Sequence, residues 1–164
     1  MDNLNLIACI GKNYELGNDN DLIWKFKNDM KFFRDKTINN SVIMGRRTYE
    51  SIGKILPKRE NIIITKDKKF NVNNALIFND NDSVINYIED NYDKLFYIIG
   101  GASIYNYYLD YCNMLYLTEV NDSACASVYF PRFDKSNYDS YKIQGYNENG
   151  IDYNIKKYVR KRVK

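Results

Sequence analysis

The chain has 164 residues and a formal net charge of +3, a length that suits one ordinary domain but not two. Its 45% hydrophobic and 15% aromatic residues exclude a wholly disordered protein. Histidine is absent, which excludes a Ser-His-Asp triad, a Cys-His dyad and any His-ligated metal site. Acid-base chemistry must therefore use a carboxylate, Lys, Tyr, Cys or water.

The sequence shows no targeting segment, membrane span or metal motif. The first residues, MDNLNLIACIG, lack the basic region and cleavage site of a signal peptide, and no apolar run approaches the ~18 residues of a membrane span. Cys9, Cys112 and Cys125 are odd in number and widely spaced, unlike a disulfide framework or a metal site. We therefore expect one cytoplasmic domain over residues 1–164, with no metal and no membrane partner.

Short apolar runs alternate with amphipathic segments along most of the chain. The predicted strands cover residues 4–10, 41–44, 61–65, 75–78, 95–99 and 114–120. The predicted helices cover residues 27–35, 46–52, 83–91 and 103–111, with Asp82 or Ser83 as the cap of the third. This order predicts an α/β fold with a central, mixed but mostly parallel sheet flanked by helices.

The last part of the chain predicts an antiparallel C-terminal hairpin at one edge of that sheet. Segments 138–146 and 151–159 flank Asn149-Gly150, a favoured pair for a tight turn, and Tyr153 and Ile155 alternate as an inward face. Residues 156–164 contain six basic residues and no acidic one. A nucleic-acid-binding tail and a solvated strand end both fit them. We favour the strand end, since no aromatic platform or basic stripe accompanies it.

Two segments place a glycine between an apolar strand and a helix start. They are VIMGRRTYESIG, with Gly45, and LFYIIGGASIYNYYL, with Gly100 and Gly101. Backbone N–H groups at a helix start attract phosphate, and glycine lets a ligand approach the backbone. Neither segment matches a nucleotide-binding fingerprint, and each alone also fits a plain strand-helix turn. Two in one domain, one with paired arginines, favour a dinucleotide.

A third strand is followed by Thr65 and Lys66, a hydroxyl and a cation. They suit a 2′-phosphate, which would favour NADPH over NADH, but an ordinary polar turn fits them as well.

Asp29 is the candidate acid. It lies in WKFKNDMKFF, where Phe26, Met30 and Phe33 recur at i, i+4 and i+7. An apolar surface beside a carboxylate can raise its pKa, which suits an acid or a hydrogen-bond anchor; a surface carboxylate at a helix N-terminus is the alternative. Trp24, the only tryptophan, follows a polar stretch, GNDND, that suits a mobile loop.

Together these motifs resemble the dihydrofolate reductase family from end to end. The matching segments occur in the family's order: LIACIGKNYELG, NDLIWKFKNDMKFF, VIMGRRTYESIG, LPKRENIIIT, FYIIGGASIY, LYLTEV and YFPRF. The resemblance implies NADPH-dependent reduction of 7,8-dihydrofolate to 5,6,7,8-tetrahydrofolate, in support of one-carbon and thymidylate metabolism. We expect a monomer, because nothing in the sequence demands a protein partner.

By that resemblance Asp29 would bind the pterin ring through paired hydrogen bonds and promote protonation of a ring nitrogen by way of water. Thr118 would support Asp29, Trp24 would order a nearby water, and Arg59 would pair with the carboxylate of the glutamate tail. The implied substrate site consists of Ile7, Asp29, Met30, Phe33, Ile52, Lys54, Leu56, Arg59, Ile99 and Thr118.

The resemblance also implies a cofactor site in which the glycine turns contact phosphates, a loop borders the nicotinamide, and the family's Gly-Gly peptide is cis. The implied residues are Cys9, Ile10, Leu16, Gly17, Asn18, Asp19, Asn20, Asp21, Gly45, Arg46, Arg47, Thr48, Thr65, Lys66, Gly100, Gly101, Ala102, Ser103, Ile104 and Tyr105.

The sequence departs from the family pattern near the loop over the nicotinamide. Ile23 and Lys27 stand where the family usually has proline, and Ala126, Ser127 and Val128 replace an Asp-containing turn. Loss of a fixed φ predicts a looser loop and altered closure rates.

Three other functions fit parts of the sequence. One is a reductase of another pterin-like or pyrimidine substrate that shares the fold, against which Asp29 and Arg59 argue together. The second is a nucleic-acid-binding module led by the basic tail, which predicts affinity that falls steeply with salt. The third is a folate-binding protein without turnover, with the altered loop as its cause.

Overall fold

A computed structural model describes residues 1–18 and 21–162 of the chain. The strands are β1 (Leu4–Ile10), β2 (Glu15–Asn18), β3 (Asp21–Leu22), β4 (Ser41–Gly45), β5 (Glu60–Ile64), β6 (Ala75–Phe78), β7 (Phe96–Gly100), β8 (Met114–Val120), β9 (Val128–Tyr129), β10 (Tyr138–Glu148) and β11 (Ile151–Arg160). The helices are α1 (Lys27–Thr37), α2 (Arg46–Ile52), α3 (Asn81–Asp90) and α4 (Ala102–Tyr108), with 3-10 turns at Leu109–Tyr111 and Lys135–Asn137.

Eight strands form one sheet in the order β10, β11, β8, β1, β7, β4, β5, β6. The six strands from β8 to β6 are mutually parallel, and β11 runs antiparallel to both β8 and β10. The predicted α/β class with a mostly parallel sheet and an antiparallel C-terminal hairpin is confirmed. The six predicted strands agree with the observed ones to within one residue at each end.

Helices cover both faces of the sheet. On one face α3 and α4 contribute Val84, Ile88 and Tyr108 to a hydrophobic core, to which β1 contributes Leu6. On the other face Phe33 of α1 packs, with α2, against residues of β1, β4 and β7. Strand β7 is buried at every position, as an apolar strand between two helical layers should be.

All four predicted helices are present, but the ends of three of them differ from the prediction. Helix α3 begins two residues earlier than predicted, because the Asp80 side chain accepts a hydrogen bond from the Ser83 N–H at 2.7 Å. Its cap is therefore Asp80 and neither Asp82 nor Ser83. Helix α1 extends to Thr37, and α4 begins at Ala102 and gives way to the 3-10 turn after Tyr108.

The C-terminal hairpin is confirmed, with a turn of two left-handed residues. Asn149 has a φ of 54° and Gly150 a φ of 78°, the signs that a tight two-residue hairpin turn requires. Tyr153 and Ile155 are each 1% exposed, which places them on the inward face as predicted.

A second, smaller sheet was not predicted. It has the order β3, β2, β9 and joins Gly17 to both Leu22 and Val128. These strands have two to four residues and no apolar run, so the sequence carries no pattern for them. No helix in the described part of the chain is long and apolar enough to cross a membrane.

Candidate active site

Several predicted site residues lie at the carboxyl-terminal ends of β1, β4 and β7, near the point where the strand order reverses. The ladder between β1 and β7 runs only from Leu4 to Leu6 on β1. Beyond it, the buried Tyr105 hydroxyl of α4 donates a hydrogen bond to the Ile7 carbonyl at 2.8 Å. Neighbouring strands separated in this way leave room for a ligand at the edge of the sheet.

Asp29 lies in the first turn of α1 and is held against the sheet. The buried Thr118 hydroxyl on β8 donates a hydrogen bond to its carboxylate, and the Cys9 thiol on β1 donates a second. Cys9 and Thr118 are register partners, so one pair of strands supplies both donors. Burial raises the pKa of Asp29, and the two hydrogen bonds offset only part of that rise. The structure thus brings Asp29, Thr118 and Cys9 together.

The thiol of Cys9 is suited to donating. Burial raises its pKa well above the usual value, and the nearby Asp29 charge raises it further. Cys9 therefore keeps its proton at neutral pH and acts as a hydrogen-bond donor to the carboxylate.

Apolar side chains form a wall where α1, the helix that carries Asp29, and α2 pack on the sheet. Ile7, Leu56 and Ile99 are buried in one cluster, and the half-buried Phe33 and Ile52 pack against it. Predicted members on the rim are Met30, which is 57% exposed, and Lys54, which is exposed.

The predicted stripe of Phe26, Met30 and Phe33 does not form one buried face. Phe26 is buried in a different cluster, where its ring stacks on Tyr153 at 4.4 Å. Phe26 has this position because it precedes α1 as the N-cap residue, outside the helical periodicity.

Arg59 lies in the segment after α2, half-buried and beside the end of α1. Its Nε donates to the Pro57 carbonyl at 3.0 Å and its Nη1 to the Thr37 hydroxyl at 3.0 Å. These neutral partners fix the guanidinium plane. No acidic side chain pairs with Arg59 among residues 1–18 and 21–162, which leaves its charge and its remaining donors for an anionic ligand.

The two glycine turns lie side by side. Met44 of β4 is in register with Gly100 of β7, and the Gly100-Gly101 peptide is cis, as the resemblance implied. A Cβ atom added at Gly101 would lie 3.3 Å from the Thr48 hydroxyl, and one at Gly45 3.2 Å from Ile104. Each turn therefore packs closely against the helix that follows the other, and a larger residue at either glycine would require a neighbouring side chain to shift.

Arg46 and Arg47 begin α2 but differ in their surroundings. The Arg46 guanidinium pairs with Glu50 at 2.6 Å and with Asp67 at 3.1 Å, and it lies 4.3 Å from the Phe70 ring centroid. Arg47 is exposed and forms no ion pair within the described residues. The two carboxylates on Arg46 were not apparent from the sequence.

The Thr65-Lys66 segment lies beside the start of α2, at the end of β5. The Asp67 N–H donates to the Thr65 hydroxyl at 3.3 Å, which makes a polar turn, and Lys66 is exposed. Because Asp67 also binds Arg46, this turn is joined directly to the first glycine turn.

The predicted nicotinamide loop is partly described. Leu16 and Gly17 belong to β2 and Asp21 to β3, where Asp21 pairs with Lys25 at 3.1 Å. Asn18 ends β2, whereas Asp19 and Asn20 lie outside the described residues. At the altered turn the Ser127 N–H donates to the Gly17 carbonyl at 2.9 Å, so backbone atoms make the connection there.

Sequence reasoning missed Glu15, which joins this loop to the segment after β8. Glu15 is 2% exposed, and its carboxylate accepts hydrogen bonds from the Asn13 N–H at 2.6 Å and the Ala124 N–H at 2.8 Å. Burial alone would raise the pKa of Glu15, but these N–H groups outweigh it and hold the pKa below the usual value. Nearby, the buried Trp24 donates its ring N–H to Asp122 at 3.2 Å.

Other predicted cofactor residues surround the second turn. Ile10, Ile104 and Tyr105 are buried, Ala102 is half-buried and Ser103 is exposed. No group of three His, Cys, Asp or Glu residues suited to a metal ion occurs in the described ranges.

Three of the basic C-terminal residues, Lys156, Lys157 and Arg160, belong to a strand. Lys156 pairs with Glu119 at 3.1 Å, and Arg160 donates to the Leu109 carbonyl at 3.0 Å. Both residues lie within β11, which pairs with β8. Structural partners thus account for part of the basic run, in agreement with the strand-end interpretation.

Comparisons with known proteins agree with this geometry. The family model described as dihydrofolate reductase matches residues 3–160. A dihydrofolate reductase of Buchnera aphidicola subsp. Acyrthosiphon pisum (strain APS) is 41% identical over 133 residues, covering 80% of each chain. One from Bacillus subtilis (strain 168) is 33% identical over 135 residues, covering 82% of this chain and 79% of the other. A solved dihydrofolate reductase from Enterococcus faecalis, complexed with NADP(H) and RAB-propyl, superposes with a TM-score of 0.90 at 26% identity, covering 97% and 96% of the two chains.

Proposed function

Because the chain belongs to the dihydrofolate reductase family of oxidoreductases, we propose that it catalyses the NADPH-dependent reduction of 7,8-dihydrofolate to 5,6,7,8-tetrahydrofolate. The observation that carries the proposal is the half-buried Asp29 carboxylate with its two neutral donors, Thr118 and Cys9, on a helix that packs against an apolar wall. A carboxyl group of raised pKa in an apolar site suits ring recognition and proton supply.

The residues of the glycine turns fit NADPH. A Cβ atom at Gly45 or Gly101 would crowd the helix that follows the other turn, and neither α2 nor α4 has a side-chain cap on its first N–H groups. Cationic side chains at Arg46, Arg47 and Lys66 surround these turns and would complement phosphate charge. When bound, NADPH supplies the hydride.

Asp29 has two tasks in the proposed reaction. Its carboxylate accepts hydrogen bonds from the amino and ring N–H groups of the pterin, which orients the ring. It also raises the proton affinity of the site by its charge, so that a water delivers the proton to a ring nitrogen. Thr118 holds Asp29 in place, and Trp24 would order that water while sharing its N–H with Asp122.

The remaining substrate residues provide shape and charge. The wall formed by Ile7, Leu56 and Ile99 excludes water from one side of the pterin, and Met30 closes over the other side. Arg59 pairs with the α-carboxylate of the glutamate tail, because its guanidinium is oriented by Pro57 and Thr37 and has no acidic partner in the part of the chain that is described.

The test is the absorbance of NADPH at its nicotinamide band with purified protein and dihydrofolate. We expect a decay that requires the folate and is faster with NADPH than with NADH. Folate-independent decay, or none with either cofactor, would contradict the proposal.

A folate-binding protein without turnover is the second candidate, favoured by the residues at 126–128. Against it, the backbone hydrogen bond from Ser127 to Gly17 and the pairing of Gly17 with Val128 keep the two loops joined despite the changed side chains. Binding of both ligands without decay would support this second candidate.

The surroundings of the enzyme follow from the same proposal. We propose a cytoplasmic monomer without a nucleic-acid partner that serves one-carbon and thymidylate metabolism. Light scattering after size-exclusion chromatography tests the monomer. Truncation after Ile155 is a poor test of nucleic-acid binding because it removes half of β11; charge reversal at exposed Lys161 is preferable.

A further inference from the structure

The N-terminal turn of α1, which carries Asp29, lacks a local cap. The N-cap residue is Phe26, whose side chain has no oxygen to accept from the first N–H groups of the helix. The first helical residue is Lys27, at a position where proline would have no N–H at all. The sequence therefore creates an N–H group here that needs an acceptor from elsewhere.

Glu148, far along the chain, supplies that acceptor. Its carboxylate accepts hydrogen bonds from the Lys27 N–H at 2.9 Å and the Asn28 N–H at 3.2 Å, one on each oxygen. The Tyr153 hydroxyl donates a third hydrogen bond to it. Together the three donors lower the pKa of Glu148, the Tyr153 hydroxyl contributing most, so the group is anionic at neutral pH.

The hairpin gives Glu148 a fixed position. Glu148 ends β10 and pairs in register with Ile151 across the two-residue turn. Tyr153 lies two residues after Ile151 on β11. It is 1% exposed and stacks its ring on Phe26 at an interplanar angle of 10°. The hairpin therefore touches the start of α1 through both an aromatic stack and a charged cap.

We propose that Glu148 is a positioning residue for the reaction, which holds the first turn of α1 and thereby the Asp29 carboxylate. The proposal rests on the proposed function, since Asp29 matters to catalysis only if the chain reduces a pterin. Glu148 acts through α1 and touches neither substrate nor cofactor in this role.

The charge of Glu148 adds a second effect. The titratable groups that face Asp29 are the Cys9 thiol, the Tyr105 and Tyr153 phenols and the Glu148 carboxylate. Burial raises the pKa of each phenol and of the thiol, so these three are neutral at pH 7. Of these four groups, Glu148 is the one that is charged at pH 7. Its negative charge repels the Asp29 carboxylate and so favours the protonated form of Asp29.

The experiment measures the titration of Asp29 in ligand-free protein by carbon-13 NMR of labelled aspartate carboxyls. The resonance is assigned with Asp29→Asn. In Glu148→Gln we expect the pKa of Asp29 to fall by about half a unit, a threefold loss of proton affinity, because the repulsion from the Glu148 charge is removed. The pH profile of kcat/KM for dihydrofolate should move by the same amount.

The control is Asp152→Asn, which removes a carboxylate from the same hairpin. Asp152 is exposed and bonds to Asn147 at 2.8 Å, away from α1. We expect its Asp29 titration to match the wild type. An unchanged titration in Glu148→Gln, or an equal shift in Asp152→Asn, would overturn the proposal, even if Glu148→Gln lowers the melting temperature.

A proline background keeps the test readable if Glu148→Gln alone unfolds. Lys27→Pro removes the N–H that Glu148 satisfies, and the extended Phe26 backbone, with φ −86° and ψ 135°, accepts a following proline. We expect Glu148→Gln to lower the melting temperature less in this background while still shifting Asp29. An equal fall in melting temperature in the wild-type and Lys27→Pro backgrounds would contradict the claim that Glu148 caps α1. Absence of wild-type turnover would refute the proposed function alone, because the NMR titration needs no turnover.

Discussion

Two carboxylates inside this protein have their pKa values shifted in opposite directions. Glu15 accepts two backbone N–H groups at 2.6 and 2.8 Å and has a lowered pKa, whereas Asp29 accepts from a hydroxyl and a thiol and has a raised pKa. Burial opposes the charge of both groups, but at Glu15 the backbone N–H donors outweigh it, whereas at Asp29 the two donors offset only part of it and the Glu148 charge adds to the rise. Backbone amides in fixed positions keep Glu15 anionic at neutral pH while it joins two loops, whereas Asp29 has the raised pKa that its proposed role in proton supply requires.

The two groups also oppose each other in their effect on stability. A lowered pKa means that Glu15 stabilises the fold at neutral pH, and this contribution is lost as pH falls through that pKa. A raised pKa means that the fold is favoured while Asp29 is protonated, and this contribution is lost as pH rises through its pKa.

The largest expected effect is on turnover. Asp29→Asn should reduce kcat/KM for dihydrofolate at pH 7 by a factor of about 10²–10⁴, because an amide neither promotes protonation nor matches the donors of the pterin. Its NADPH affinity and its free energy of unfolding at pH 7 should not fall. Stopped-flow absorbance and denaturant unfolding measure these quantities. The control is Asp35→Asn on the same helix, where the carboxylate is 58% exposed. Near-full turnover in Asp29→Asn would exclude its proposed role.

The matching change at Glu15 should affect stability first. Glu15→Gln should lower the free energy of unfolding by about 1–3 kcal/mol at pH 7, because the amide group turns a donor toward a backbone N–H. Urea unfolding followed by Trp24 fluorescence measures the loss. The difference from the wild type should shrink as pH falls below the usual carboxyl range of about 4. The exposed Glu89→Gln on α3 serves as the control, and equal midpoints in the two variants would contradict the role given to Glu15.

A substitution at Arg59 tests whether its guanidinium, which is oriented by two neutral acceptors, pairs directly with the substrate. Arg59→Ala should raise KM for dihydrofolate about 10- to 100-fold with a smaller change in kcat, since a charge-assisted pair is lost. Steady-state kinetics with a pterin that lacks the glutamate tail should show no such change. The comparison variant is Arg34→Ala, which removes a nearby cation whose charge helps to lower the pKa of Arg59. An equal rise in KM in that variant would indicate general attraction instead of a direct pair.

The smallest effect is expected at the cofactor side. Asp67→Asn should lower KM for NADPH a few-fold, because Arg46 is then released from an exposed ion pair at 3.1 Å that is itself weak. KM for NADH should stay the same if Arg46 reaches a 2′-phosphate. A parallel change for both cofactors would place the Arg46 contact elsewhere.

The sequence predicted the large sheet well because its strands are apolar on both faces and are punctuated by glycine or polar residues. Strand β7 and the turn at Gly100-Gly101 illustrate this, since a buried parallel strand followed by a glycine admits few other structures. The predicted caps of α3, Asp82 and Ser83, were wrong, because the neighbouring Asp and Asn residues can also cap a helix and only the fold selects Asp80.

The missed features depend on partners that are distant in the sequence. The Glu148 carboxylate lies 121 residues from Lys27, whose N–H donates to it, and Glu15 lies 109 residues from Ala124, whose N–H donates to it. No local pattern marks either carboxylate, because each is an ordinary polar residue in its own segment. The two-residue strands β3 and β9 escape for the same reason: they exist only through their pairing with β2.

The position of β11 has a consequence for how the protein is made. This strand is synthesised after β10, yet it lies between β10 and β8 in the sheet. On the ribosome β10 therefore emerges with no strand to pair with, and the edge of β8 stays open until residues 151–160 leave the exit tunnel. A nascent chain therefore has its glycine turns early but completes the support of α1 only after residues 151–160 have emerged, so the proposed activity should be absent from nascent chains in which this strand is still inside the tunnel.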